Sequence, residues 1–168
     1  MFNLKAEFYL KVIFLFSLIA LISAFFIEYI LGHQPCNLCL IERIPYGLSI
    51  MIIMAIFLIK KNQKFLVMLL ILTFIFSFAI SFYHFGIEQG FFQESSVCGV
   101  KSSTEIVTKE DLLKQLSEKT ISCKDVTFRI FGLSLTSINI VISLLFIITL
   151  LKIFKKYEKN RSKSTGIY

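Results

Sequence analysis

Between Lys11 and Gly32 the chain carries a single charge, Glu28, in twenty positions. The same poverty of charge returns three times. Residues 44–59 hold none, residues 65–85 hold only His84, and residues 130–151 hold none. No run has the periodicity that a single buried face would impose, because apolar side chains occur all round. A helix needs about 20 apolar residues to cross the hydrocarbon core of a bilayer. The pattern therefore predicts four transmembrane helices over approximately 12–31, 40–59, 65–85 and 130–151. The second is extended back from Ile44 towards Cys36 to reach full length. The predicted fold class is an all-α integral membrane four-helix bundle, one domain over 1–154 with a basic tail at 155–168.

Composition agrees with the pattern. Apolar residues make up 56% of the 168 and charged residues 17%, against about a quarter charged in soluble domains. The net charge of +7 suggests no nucleic-acid partner, since the basic residues gather at the ends of apolar runs rather than among exposed aromatics. Their placement sets an orientation. The N-terminus, the Lys60–Lys64 link and the tail collect eleven basic residues against two acidic ones. The loops at 32–39 and 86–129, with the span ends beside them, hold seven basic and nine acidic. Lys and Arg stay cytoplasmic, so both termini are expected inside and both loops outside, in a bacterial inner membrane. The first span is too long for a signal-peptide core, and no small-residue cleavage site follows it.

All four cysteines fall in the two outer loops: Cys36 and Cys39 in the first, Cys98 and Cys123 in the second. An oxidising compartment lets disulfides form there, and four cysteines allow three pairings. A four-cysteine zinc site usually shows two short-spaced pairs, whereas Cys98 and Cys123 lie 25 apart. A C-x-x-C ring closes almost no chain, so it contributes little as a staple. It is better suited to being opened and closed. Cys36 and Cys39 stand at the start of the second span, where the helix dipole favours a thiolate. Arg43, four residues beyond Cys39, shares its face. It is placed to stabilise a sulfur anion, or else to pair with Glu42 or Glu28. Glu28, His84 and Asn139 are the deepest polar groups of the spans, and such residues are functional candidates. Asn139 equally suits a hydrogen bond between helices.

The stretch "PCNLCLIERIPYGLS" (35–49) resembles the motif of the disulfide bond formation protein B family of bacteria. "YHFGIE" (83–88) and "FRIFGLSLTSINIVISL" (128–144) resemble family segments that end the third span and begin the fourth. The resemblance implies a membrane thiol oxidase. It would reoxidise a periplasmic thioredoxin-fold, DsbA-like dithiol protein and pass the electrons to a membrane quinone, ubiquinone or menaquinone. By position, Cys98 would form the mixed disulfide with the partner, and Cys123 would then attack Cys36. Cys39 would face the quinone beside Arg43. His84, Glu88 and Tyr46 would be further quinone-site residues. No metal is implied.

The chain departs from the family in lacking Trp, so Phe or Tyr must pack the quinone. In the long loop, Thr108 and Asp111 resemble a capping box. Leu112, Leu113 and Leu116 share a face beyond it, predicting a short helix on the membrane surface. Two other readings compete. One is a scaffold with structural disulfides. The other is a vitamin K epoxide reductase-like enzyme, whose C-x-x-C follows its loop cysteines instead of preceding them.

Overall fold

The computed structural model describes residues 4–59, 62–94, 98, 122–124, 129–130 and 133–164. Four helices dominate it: α1 (Leu4–Tyr29), α2 (Asn37–Leu58), α3 (Gln63–Glu88) and α4 (Leu135–Ser164). All four are long and apolar enough to cross a membrane. A two-stranded antiparallel hairpin, β1 (Arg129–Ile130) and β2 (Leu133–Ser134), leads into α4. The expected loop helix around Leu112, Leu113 and Leu116 lies outside the described residues.

The helices outrun the apolar runs. α1 begins at Leu4 instead of 12, and α3 continues to Glu88. Backbone hydrogen bonding does not stop where hydropathy falls, and Lys, Glu and Gln are good helix formers. The expected span 130–151 is shifted towards the C-terminus. Residues 129–130 pair with 133–134, and Ser134 caps α4 by accepting the Ser137 N–H at 3.2 Å, a typical N-cap bond. The basic tail expected from 155 is helical as far as Ser164.

The helices pack in a row: α1 against α2, α2 against α3, and α3 against α4, whereas α1 barely meets α4. Serines let the backbones approach within the pairs. Ser49 donates to Ser17 at 2.9 Å between α2 and α1, and the Ser77 and Ser143 hydroxyls meet at 3.1 Å between α3 and α4. The main core is aliphatic, built on Leu10, Ile13, Ile53, Ile56, Leu70 and Leu150. Phe74 sits at its centre, edge-on to Phe146 with centroids 5.0 Å apart. Large apolar residues such as Met51 and Leu145 point outward, as a lipid solvent requires. The loose α1–α4 seam is the consequence that matters for function, since it leaves space between α1, α2 and α4.

At the outer end of α3 the chain folds back. The Phe91 and Phe92 N–H groups both donate to the Gly86 carbonyl, at 2.8 and 3.1 Å. Phe92 then stacks on Tyr83 at 5.7 Å. A Cβ on Gly86 would come within 2.1 Å of Phe92 Cδ2. Gly86→Ala is therefore expected to unseat the Phe92 ring at about 1–3 kcal/mol. A thermal melt lowered by several degrees checks this, and an unchanged melt would refute the close packing.

Candidate functional site

The residue before the C-x-x-C pair is Pro35, and α2 starts directly after Cys36. Cys36 is itself the N-cap: its backbone is extended, and its Sγ accepts the Cys39 N–H at 3.3 Å. This first turn brings the two free sulfurs to 2.7 Å. The Cys39 thiol, the largest influence, and the His84 ring both hydrogen-bond the Cys36 sulfur. Against the opposing effect of burial they hold its pKa well below the usual thiol range. At neutral pH Cys36 in the reduced pair is a thiolate, the form that attacks disulfides.

Cys98 and Cys123 form a disulfide, with Cα atoms 5.6 Å apart. Of the pairings the sequence left open, the structure holds this one within the long loop. Glu94, six residues beyond the end of α3, holds its Cys123 side. Its carboxylate accepts the Ser122 hydroxyl and, at 3.0 Å, the Lys124 N–H. Those bonds bracket Cys123. The disulfide is buried in one apolar cluster with Cys36, Leu38 and Ile87, so the two cysteine pairs share a surface.

Cys39 faces elsewhere. It lines a partly open cavity of about 250 Å³ in the α1–α4 seam, together with Glu42, Arg43, Tyr46, Asn139 and the apolar residues of α1 and α4. Cys36 is absent from that lining. The pair thus straddles two environments, one sulfur towards the loop disulfide and one towards the cavity. Arg43 reaches across to α1, where it pairs with Glu28 and lies over the Phe25 ring at 5.3 Å. Tyr46 lines the same wall, and its hydroxyl donates to Asn139 Oδ1.

His84 and Glu88 do not line the cavity. They stand behind it, on the Cys36 side. His84 Nε2 is 3.6 Å from Cys36 Sγ, and its Nδ1 is 3.0 Å from Glu42 Oε1. Thr136 of α4 lies 3.3 Å from Nδ1 and donates to Glu88 Oε1 at 2.8 Å. Asn139 donates to Glu42 Oε2 at 3.3 Å and to Ser81 Oγ at 2.7 Å. Sequence reasoning treated Glu42 only as a neighbour for Arg43, and did not single out Thr136 or Glu94. A buried-polar signal existed for Asn139, but its partner was not legible.

The donor atoms of Cys36, Cys39 and His84 lie within 4.8 Å of one another. Two thiolates on one tetrahedral zinc at 2.3 Å would stand about 3.8 Å apart. The observed 2.7 Å between the sulfurs suits bonding to each other better than sharing an ion.

Four membrane-length helices with two cysteine pairs packed together at one end are the architecture of a multi-pass membrane thiol–disulfide oxidoreductase. Residues 6–153 match the family model described as disulfide bond formation protein DsbB. The chain belongs to that family and is a membrane oxidoreductase of disulfide-bond formation. It is also 32% identical over 136 residues to the uncharacterized protein RP370 of Rickettsia prowazekii (strain Madrid E), covering 80% of this chain and 79% of that protein.

Proposed function

We propose that this protein is a dithiol:quinone oxidoreductase. It reoxidises a DsbA-like thioredoxin-fold partner on the outer, periplasmic face of a bacterial inner membrane. The observation that carries the reading is the division of the C-x-x-C pair, with Cys36 packed by the loop disulfide and Cys39 in the cavity wall. Electrons enter through the Cys98–Cys123 disulfide, cross to Cys36 and leave from Cys39. The residues of the cavity suit a quinone headgroup: apolar walls from α1 and α4, with Arg43, Glu42 and Tyr46 converging near one sulfur. Few polar groups in a greasy pocket are the usual composition of a cofactor site. A quinone bound there supplies a two-electron, two-proton acceptor.

Each side chain then has a task. Cys98 takes the partner's thiolate in a mixed disulfide, which releases Cys123. Cys123 attacks Cys36, breaking the Cys36–Cys39 bond and leaving Cys39 as the anion. The Arg43 guanidinium stabilises negative charge in the cavity while Glu28 and Phe25 hold it in place. His84 and Glu88, which the resemblance gives as quinone-site residues, act from the sulfur side of the cavity. The basic links and tail keep the opposite face cytoplasmic.

The reading is tested with the purified protein in detergent, a reduced DsbA-like partner and a short-chain quinone. Loss of quinone absorbance in step with partner oxidation supports it, and no coupled loss would overturn it. In the same assay Arg43→Ala should raise the KM for quinone roughly ten- to a hundredfold, the equivalent of about 1.5–3 kcal/mol for a hydrogen bond to a charged group. Exchange between the cysteine pairs should be unaffected. An unchanged KM would remove Arg43 from the quinone site.

A further inference from the structure

Reduction of a quinone consumes two protons, and both must arrive in a cavity walled by apolar helices. Cys39 lines that cavity and delivers its own proton directly. Cys36 does not line it, so its proton needs a route. Resting on the quinone reading above, we propose that His84 and Glu42 form a two-residue proton relay from Cys36 to the quinone cavity.

The geometry supplies every link. His84 presents Nε2 to Cys36 Sγ at 3.6 Å and Nδ1 to Glu42 Oε1 at 3.0 Å. An imidazole bridged in this way accepts a proton on one nitrogen and releases one from the other. Glu42 and Thr136 both touch His84 and line the cavity, and of the two only the Glu42 carboxyl takes up and releases a proton near neutral pH. Asn139 fixes the far oxygen, Oε2, by donating to it at 3.3 Å. The groups facing His84 from its neighbours are Cys36 and Glu42 of α2 and the neutral Thr136 of α4; Glu88 lies on its own helix, with Oε1 3.9 Å from Nε2. Glu88 Oε2 is buried without a hydrogen-bond partner, so Glu88 is a second carboxyl close to the ring but off the cavity. It has no place in the route.

The step balances. Cys36 and Cys39 together lose two protons and two electrons and gain one S–S bond. The electron pair leaves through the Cys39 sulfur, and the quinone becomes hydroquinone. One proton comes from Cys39. The other, given up by Cys36 to His84 Nε2 when the thiol ionises, passes from Nδ1 to Glu42 and from Glu42 to a quinone oxygen. His84 touches a reacting atom and is catalytic. Glu42 transfers the proton and also fixes the ring.

The test separates the two half-reactions in single-turnover experiments on the full-length protein. Glu42→Gln keeps the shape and loses the transferable proton. It should slow reoxidation by a short-chain quinone about a hundredfold, in the range of general acid–base catalysis. Reduction of the Cys36–Cys39 disulfide by the DsbA-like partner should keep its wild-type rate. Added formate should restore reoxidation in Glu42→Gln, and Glu42→Asp should retain most of it. A readout without quinone accompanies these. The pH midpoint for alkylation of Cys36, which lies below the usual thiol range in the wild type, should rise in His84→Gln and in Glu42→Gln. Wild-type reoxidation in Glu42→Gln would overturn the relay. So would equal slowing of both half-reactions without formate rescue, or an unmoved Cys36 midpoint in both variants. If the wild-type protein, reduced with dithiothreitol, passes no electrons to quinone, the quinone reading itself falls and the relay with it.

Discussion

Cys39→Ser should pass no electrons from partner to quinone, a loss of at least about a thousandfold, since removing the reacting group of a concerted site leaves only residual catalysis. The reason is positional. Among the described residues Cys39 is the one sulfur in the cavity wall. Cys36 is buried on the other side of the first turn of α2, against the loop disulfide. No neighbouring group can take over the exit. The variant should still react at its entry end, because the Cys98–Cys123 pair is intact and Cys36 keeps His84 beside it at 3.6 Å. It should therefore oxidise at most one equivalent of reduced partner through the Cys98–Cys123 disulfide and then stop with both loop cysteines reduced, since Cys36 without Cys39 holds no disulfide for Cys123 to attack. Non-reducing gels and peptide mapping check this. Appreciable quinone-coupled turnover in Cys39→Ser would sink the assignment of the exit.

Cys98→Ser should fail at the opposite end. Oxidation of the protein partner should disappear, again by about a thousandfold or more, because the loop disulfide that receives the partner's thiolate no longer exists. A small dithiol behaves differently. Dithiothreitol needs no docking surface and can reduce the Cys36–Cys39 pair itself, so dithiothreitol-driven quinone reduction should survive. The contrast between the two reductants is the diagnostic measurement. A variant that still oxidises the protein partner would show that electrons enter directly at Cys36. A variant that loses both activities would show that the loop disulfide acts as a structural support for the first turn of α2.

The cysteines and the bundle were the most legible parts of the chain. Span count follows from transfer free energy, which depends on composition and length and hardly on neighbours. The placement of every cysteine outside the apolar runs follows in the same way. Boundaries were less legible, because capping by Ser134 and helix propensity in polar flanks act beyond the point where hydropathy changes.

Glu42 and Arg43 show where one-dimensional reasoning stops. Adjacent in sequence, they read as a pair. Consecutive helical residues do not face each other, so the two side chains leave α2 in different directions. Arg43 goes to Glu28 and Phe25 of α1, and Glu42 goes to His84 of α3 and Asn139 of α4. The same angular argument divides Cys36 from Cys39. The resemblance of residues 83–88 put His84 among the quinone-site residues; in the structure it stands just outside the cavity lining, against Cys36 and Glu42, an azimuth that depth along a helix does not record.

The sequence by itself determined a four-span membrane protein of disulfide chemistry, with its cysteines at one end and a family membership written in the residues around them. Those properties depend on composition, spacing and local motif, which a linear chain carries intact. The tertiary structure decided which sulfur meets the loop disulfide and which meets the cavity. It also decided that Glu42 belongs to His84 and that the α1–α4 seam is the open one. These outcomes depend on helix rotation and on which pairs pack tightly. In spans that are apolar all round no periodicity records the rotation, and only the packed bundle selects it.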